Sequence, residues 1–235
     1  MSLTIVSVYP ELLGTYGDVG NVQVLEKRLA WRGVPAEVVV VSVREPLPSA
    51  GDLYVLGGSE DDNQARAMEG LVASPLALAV ARGAHVFGVC AGLQLLGAAM
   101  TDIHGVQRSG LGLLDAATRR LPHRVLGEVV AEFDKSMALP ALTGFANHGG
   151  GTTLGPEARP LATTRVGQGN EGTEGSPEGA IQGNVVATYL HGPVLARNPA
   201  FADWLLERAL GQVLPPLAAD PSVALHDERV RRARG

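Results

Sequence analysis

Ala84-His85-Val86-Phe87-Gly88-Val89-Cys90-Ala91-Gly92-Leu93-Gln94-Leu95-Leu96-Gly97 places the chain's only cysteine between a short apolar run and a segment of helical character. A strand buried on both faces of a parallel sheet reads as a short continuous apolar run, and residues 84–89 have that form. Gly88 and Gly92 bracket Cys90 closely enough for a sharp strand-to-helix turn, the geometry that lifts a nucleophile above the sheet in other hydrolases. Such a turn also seats a sulfur at a helix N-terminus, where unpaired N–H groups and the dipole favour thiolate. A lone cysteine is more commonly a small buried hydrophobe. A core cysteine has no need of glycine on both sides, so Cys90 is the leading candidate for a catalytic nucleophile.

Working outward, Leu3 to Val8 reads as a first buried strand, and Val19 to Trp31 follows with helical spacing at Val22, Leu25 and Leu29. Ala36 to Val43 contains four consecutive valines and is a second strand; Asp52 to Leu56 is a third, ending in Gly57-Gly58. Ser59 is expected to cap an interrupted helix that runs through Arg82. The helix after the cysteine is expected from about Gly92 to Met100. Strands alternating with helices predict a parallel sheet wrapped by helices on both faces.

From about Arg108 the rhythm changes to shorter, turn-rich segments, with a strand at Val125 to Phe133. Residues 167–183 carry six glycines and no periodicity, and read as a loop. Val185 to Leu190 returns to strand, Pro199 to Leu210 makes an amphipathic helix, and the charged end from Asp227 is expected to fray. The expected organisation is one domain, 1–213, with a C-terminal tail, 214–235.

Length and composition narrow the function classes. A chain of 235 residues with 46% hydrophobic content supports a sizeable core. A net charge of −5 argues against a nucleic-acid or anionic-membrane surface. One cysteine excludes an internal disulfide framework and fits a reducing cytoplasm. No Cys/His cluster has zinc spacing. The first residues lack a basic region followed by an apolar stretch, so no signal peptide is expected, and no run approaches the ~20 apolar residues of a membrane span. The expected location is cytoplasmic.

Tyr189-Leu190-His191-Gly192-Pro193 falls at the carboxyl end of the late strand. Ligands of open α/β sheets bind outside the carboxyl ends of strands, which puts Cys90 and His191 at one edge. A histidine there can take a thiol proton and return it to a leaving amine. Leu56-Gly57-Gly58-Ser59 ends another strand at that edge, and its N–H groups, with that of Ala91, suit an oxyanion.

Together these residues carry a resemblance. The run Gly88 to Leu95, the Gly57-Gly58 turn and the Tyr-Leu-His-Gly-Pro end resemble a class I glutamine amidotransferase, in its cobyric-acid-synthase-like branch. Tyr16-Gly17-Asp18-Val19-Gly20-Asn21, Gly144 to Gly149 and Thr173-Glu174-Gly175 are similar to the glutaminase subunits of lipid II isoglutaminyl synthases. The resemblance spans roughly residues 3 to 211. It implies a three-layer, flavodoxin-like α/β fold with a mostly parallel central sheet. It also implies hydrolysis of L-glutamine to glutamate and ammonia, with Cys90 forming a glutamyl thioester and His191 shuttling the proton. Gly58 and Ala91 would hold the oxyanion, and Gln94 would belong to the glutamine site. Arg124 suits the substrate carboxylate, because a guanidinium grips carboxylates bidentately.

Two positions depart from the family pattern. Many relatives have His-Pro-Glu, where the acid orients the histidine; here Pro193 stands at the position of that Glu, and an unoriented imidazole is costly. The resemblance implies that an acid from a partner chain completes the site. Ala146 stands where related branches often carry Glu, which leaves Asn147 and His148 open between site and loop-stabilising roles. The chain has no Gly-x-x-x-x-Gly-Lys-Ser/Thr phosphate loop and no cofactor is expected on it. ATP and magnesium are expected on a separate Mur-ligase-like (MurT-type) synthetase subunit. In such a heterodimer channelled ammonia would amidate the D-glutamate of lipid II. Two other readings keep the fold: a stand-alone γ-glutamyl thiol hydrolase, against which the missing acid counts, and a non-catalytic binding module.

Overall fold

The computed structural model of the chain describes residues 2–102 and 104–234. Its first half alternates strand and helix as β1 (Leu3–Val8), α1 (Val19–Ala30), β2 (Ala36–Val41), β3 (Leu53–Leu56), α2 (Asp61–Val72), α3 (Leu76–Ala81), β4 (His85–Val89) and α4 (Ala91–Leu96). The middle is mostly strand: β5 (Ala99–Thr101), β6 (Gln107–Ser109), β7 (Ala116–Phe133), β8 (Leu142–Leu154) and β9 (Ala162–Val166). Short strands β10 (Pro177–Glu178), β11 (Ala180–Gln182), β12 (Val185–Thr188) and β13 (Leu190–His191) follow, then α5 (Val194–Arg197), α6 (Pro199–Leu210) and α7 (Pro221–Arg234).

The first sheet has the order β11-β12-β4-β3-β1-β2 and is parallel except for β11, which runs antiparallel to β12. The apolar runs of β1, β3, β4 and β12 are buried because these strands have a neighbour on each side. The valine run of β2 sits at the sheet edge, so Val40 is 62% exposed despite its hydrophobicity. Crossover helices join the parallel strands, and α4 packs back on β4 and β12.

A second, largely antiparallel sheet follows the order β10-β9-β7-β5-β6, with β8 paired to β7 and β13 paired to β8. Only the second half of β7 was legible as strand. Its first half carries exposed Arg119 and Arg120, and a register shift between Arg120 and Val125 interrupts its alternation. The helix after Cys90 stops at Leu96, short of Met100. Ala98 N–H bonds Ala116 O at 2.8 Å, and the backbone is captured as β5. Ser59 caps nothing; its hydroxyl donates to Leu12 O at 2.8 Å, and α2 begins after Glu60. Residues 177–182 of the expected loop form β10 and β11.

The charged end expected to fray is helical to Arg234. His226 Nε2–H donates to Ala141 O at 2.7 Å. Ahead of α7, Asp220 accepts from buried Arg28 at 2.8 Å, and Arg28 also grips Asp203 through two bonds of 2.6 Å. Between β12 and β13 the chain changes sheets. Glu178, buried, holds that crossing by accepting from the Thr188 hydroxyl and from Tyr189 N–H, both at 2.8 Å.

Candidate active site

Cys90 occupies the junction of β4 and α4 with φ 52° and ψ −102°, a conformation that costs a residue with a side chain roughly 1–3 kcal/mol. Its N–H is fixed to Thr188 O at 2.8 Å. The two flanking glycines serve close approach. A Cβ on Gly88 would stand 2.6 Å from Leu96 Cδ1, and one on Gly92 2.6 Å from Leu56 O. The glycines therefore supply room, and the backbone strain falls on the cysteine itself.

His191 arrives from the other sheet, paired through β13 with Phe145 of β8. Its Nδ1 lies 3.0 and 3.1 Å from the two carboxylate oxygens of Asp18, whose side chain is fully buried. Asp18 is carried there by the turn before α1. Thr15 N–H bonds Gly58 O at 3.1 Å, and Asn21 Oδ1 accepts from Leu195 N–H at 3.0 Å. This chain thus places a carboxylate of its own on His191 Nδ1, 173 residues away in sequence. A Cβ on Gly58 would lie 2.8 Å from His191 Cε1 and 3.5 Å from Cys90 Cβ, so base and sulfur meet over this glycine. The edge of Tyr16 closes over the imidazole at 5.0 Å.

Burial disfavours charge on His191, but the hydrogen bond to Asp18 and the negative charges of Asp18 and Cys90 outweigh it and raise its pKa to about 10. Gly58, expected as an oxyanion donor, instead gives its N–H to Asp18 Oδ2 at 2.8 Å. That carboxylate bridges the glycine and the imidazole, so the N–H is already engaged. Ala91 N–H, in the first turn of α4, has no acceptor among the described residues.

A cavity of about 540 Å³ opens beside Cys90, lined among others by Gln94, Arg124, Asn147, His148 and Gly150. Gln94 Nε2 donates to Tyr189 OH at 3.2 Å while its Oε1 accepts from Gln64 at 2.8 Å, which fixes the amide. Arg124 Nε donates to Asn147 Oδ1 at 2.5 Å and Nη2 to Tyr16 OH at 3.1 Å, so the guanidinium stands at the cavity wall. His148 stacks on Tyr189 with ring centroids 3.8 Å apart, and its Nδ1 lies 2.7 Å from Gly150 O. Tyr189 OH is itself 2.7 Å from Thr152 Oγ1. Burial, reinforced by the positive charges of His191 and Arg124, pushes the His148 pKa down to about 4.

The structure brings together Cys90, His191, Gln94 and Arg124 as the sequence led one to expect, and adds Asp18, Gln64 and Tyr189. Asp18 lies inside the Tyr16-to-Asn21 motif, but nothing in its spacing points to His191. Among the described residues no group of three or more His, Cys, Asp or Glu side chains forms a metal-binding cluster. No helix among them is long and apolar enough to cross a membrane.

Comparison with known proteins agrees with this geometry. The family profile of the CobB/CobQ-like glutamine amidotransferase domain matches residues 4–199. The chain is 34% identical over 210 residues to the lipid II isoglutaminyl synthase (glutamine-hydrolyzing) subunit GatD of Staphylococcus aureus, covering 88% of this chain and 84% of that protein. It is 31% identical over 215 residues to the GatD subunit of Streptococcus pneumoniae, covering 88% and 80%. Among solved structures, a crystal structure of a glutamine amidotransferase superposes with a TM-score of 0.61 at 22% identity, over 88% of this chain and 98% of that one.

Proposed function

The chain belongs to the CobB/CobQ-like glutamine amidotransferases, and from that premise we propose that it hydrolyses L-glutamine and passes the ammonia to a separate synthetase of peptidoglycan synthesis. The observation that carries the reading is the meeting of Cys90, which lines a cavity of substrate size, with His191 and Asp18 behind it.

In the proposed reaction the Cys90 thiolate attacks the side-chain carboxamide carbon, and the carbonyl electron pair moves onto oxygen. Ala91 N–H stabilises that oxyanion. His191 Nε2–H gives its proton to the amide nitrogen as the C–N bond breaks, releasing ammonia and leaving a glutamyl thioester. His191 Nε2 then takes a proton from water, whose oxygen attacks the thioester; the C–S bond breaks and glutamate departs. Asp18 keeps a proton on Nδ1 and so confines every transfer to Nε2, which otherwise has no hydrogen-bond partner. Arg124 binds the α-carboxylate, and Gln94, with one amide N–H uncommitted, positions the substrate.

The two GatD relatives support lipid II as the ultimate acceptor, its D-glutamate becoming D-isoglutamine. The partner is then a Mur-ligase-like, MurT-type subunit holding ATP and magnesium. Asp18 also removes the objection to autonomous hydrolysis, so the isolated chain is expected to release ammonia without a partner. The test is ammonia release from glutamine by the purified chain, alone and with the synthetase, beside Cys90→Ser. Loss of release in Cys90→Ser and stimulation by the synthetase support a split amidotransferase. Undiminished release in Cys90→Ser refutes the thioester, and strong activity on γ-glutamyl peptides indifferent to any partner favours the stand-alone hydrolase.

A further inference from the structure

Glu178 is a fully buried acid that the reaction above does not use, and its hydrogen bonds converge on one short stretch of chain. Residues 188–191 carry the backbone from the first sheet to the second. Thr188, the last residue of β12, pairs with Val89 of β4, and its carbonyl holds Cys90 N–H at 2.8 Å. His191 pairs with Phe145 of β8. Buried N–H groups on such a crossing must find acceptors. Glu178 Oε1 accepts Tyr189 N–H and the Thr188 hydroxyl, both at 2.8 Å, and the oxygen of that hydroxyl accepts Leu190 N–H at 3.1 Å. One carboxylate oxygen thus serves both N–H groups, directly and through Thr188.

The side chain works from a stiff anchor. Glu178 stands on β10 opposite Ala162 of β9. The next residue, Gly179, is gripped on both sides by buried Asn170: its N–H donates to Oδ1 at 2.7 Å, and its carbonyl accepts from Nδ2 at 2.9 Å. Asn170 N–H in turn bonds Pro177 O at 2.7 Å, so both neighbours of Glu178 are fixed. Its other oxygen, Oε2, has no partner among the described residues, so the carboxylate is tied to this crossing alone.

Resting on the glutaminase reading, we propose that Glu178 is a positioning residue, whose reach from β10 sets where His191 stands against Cys90. Cys90 takes its place from Thr188 O, and His191 follows from the bend that Thr188, Tyr189 and Leu190 make around the carboxylate. The length of one side chain therefore fixes the step between sulfur and base. Catalytic groups need placement to within about 0.5 Å, and a misplacement of about 1 Å costs on the order of 10²-fold in rate. Reach matters here and charge does not, and substitutions separate the two.

The test is glutamine hydrolysis by the full chain with the synthetase present, giving KM and a kcat per folded molecule, with the folded fraction taken from urea melts. Glu178→Asp keeps the charge and draws the carboxylate back by one C–C bond, about 1.5 Å, so kcat should fall about 10- to 100-fold. KM should stay within about threefold, because Gln94 and Arg124 are held by Gln64 and Asn147. Glu178→Gln keeps the reach without the charge and should hold kcat within about threefold of wild type. Thr188→Val removes the hydroxyl that relays the joint to Leu190 and should repeat the loss, while Thr188→Ser, which keeps it, should not. Thr188→Val decides the matter if Glu178→Asp does not fold. Variants that are less stable yet turn over like wild type per folded molecule overturn the assignment, as does a loss confined to KM. A Glu178→Gln that loses as much as Glu178→Asp also overturns it, because charge would then be the cause. If wild type releases no ammonia while iodoacetamide still alkylates Cys90, the glutaminase reading fails and this inference with it.

Discussion

Asp18→Asn changes one atom in the interior of the site and should nearly silence it. The carboxylate of Asp18 makes two kinds of contact: Oδ2 accepts Gly58 N–H at 2.8 Å, and both oxygens face His191 Nδ1 at 3.0 and 3.1 Å. An asparagine has one acceptor. With its oxygen on Gly58 N–H, its amide donors face Nδ1 and force the imidazole proton to Nε2. That tautomer cannot receive a proton at the nitrogen nearest the sulfur. The alternative rotamer satisfies His191 but points an N–H at an N–H on Gly58, in a position sealed from water. Either state disarms the base, and the expected fall in kcat is about 10³- to 10⁴-fold, the scale seen when a triad acid is replaced by its amide. Removing the carboxylate also lets the His191 pKa drop from about 10. A raised histidine pKa contributes stability that is complete below the unfolded value near 6.5 and vanishes as pH climbs through about 10. The variant should therefore be less stable than wild type at pH 7, and the gap should narrow above pH 10. The assay is ammonia release with saturating glutamine and with the synthetase present, alongside urea melts at both pH values. Activity within threefold of wild type would refute the in-chain acid and return that role to a partner.

Other perturbations test neighbouring parts of the reasoning. Gly58→Ala sets a methyl 2.8 Å from both Asp18 Oδ2 and His191 Cε1; activity should fall at least tenfold, at a cost of about 1–3 kcal/mol in chemical denaturation. Burial raises the Glu178 pKa to about 7, so the folded chain holds a proton that the unfolded chain loses near pH 4.5. Stability should decline as pH rises between those values, and Glu178→Gln should flatten the decline, gaining up to roughly 3 kcal/mol over wild type at pH 8. Arg28→Met removes the cation that Asp203 and Asp220 share, and urea unfolding should register a loss of about 3–5 kcal/mol. A loss below 1 kcal/mol would mean that the carboxylates are met by other groups, Arg32 first among them.

Much of the first sheet could be read from the chain because buried parallel strands leave uninterrupted apolar runs. Residues 3–8, 53–56 and 85–89 are such runs, and Pro199–Leu210 announced its helix by periodicity and a proline at its start. The second sheet was largely illegible. One flank of β7 is exposed and carries arginines, and β10, β11 and β13 are two or three residues long, too short for any period to register. Cys90 was recognisable from its glycines, which give room against Leu96 and Leu56 and leave the strained turn to the cysteine. His191 was recognisable only as the partner of Cys90. Asp18 escaped because its role depends on a turn packing against Gly57 and Gly58, a tertiary fact with no local signature. Gln64 escaped likewise, as one amide on a helix without any marked pattern.

The crossing between β12 and β13 makes the reactive pair a gauge of alignment. Cys90 is fastened to the first sheet through Thr188 O, while His191, three residues further along, is fastened to the second through Phe145. Sulfur and imidazole therefore ride on different slabs, and their separation measures how those slabs are set against each other. A displacement of about half an ångström between them is enough to take a catalytic pair out of its productive geometry while leaving every residue of the site in place.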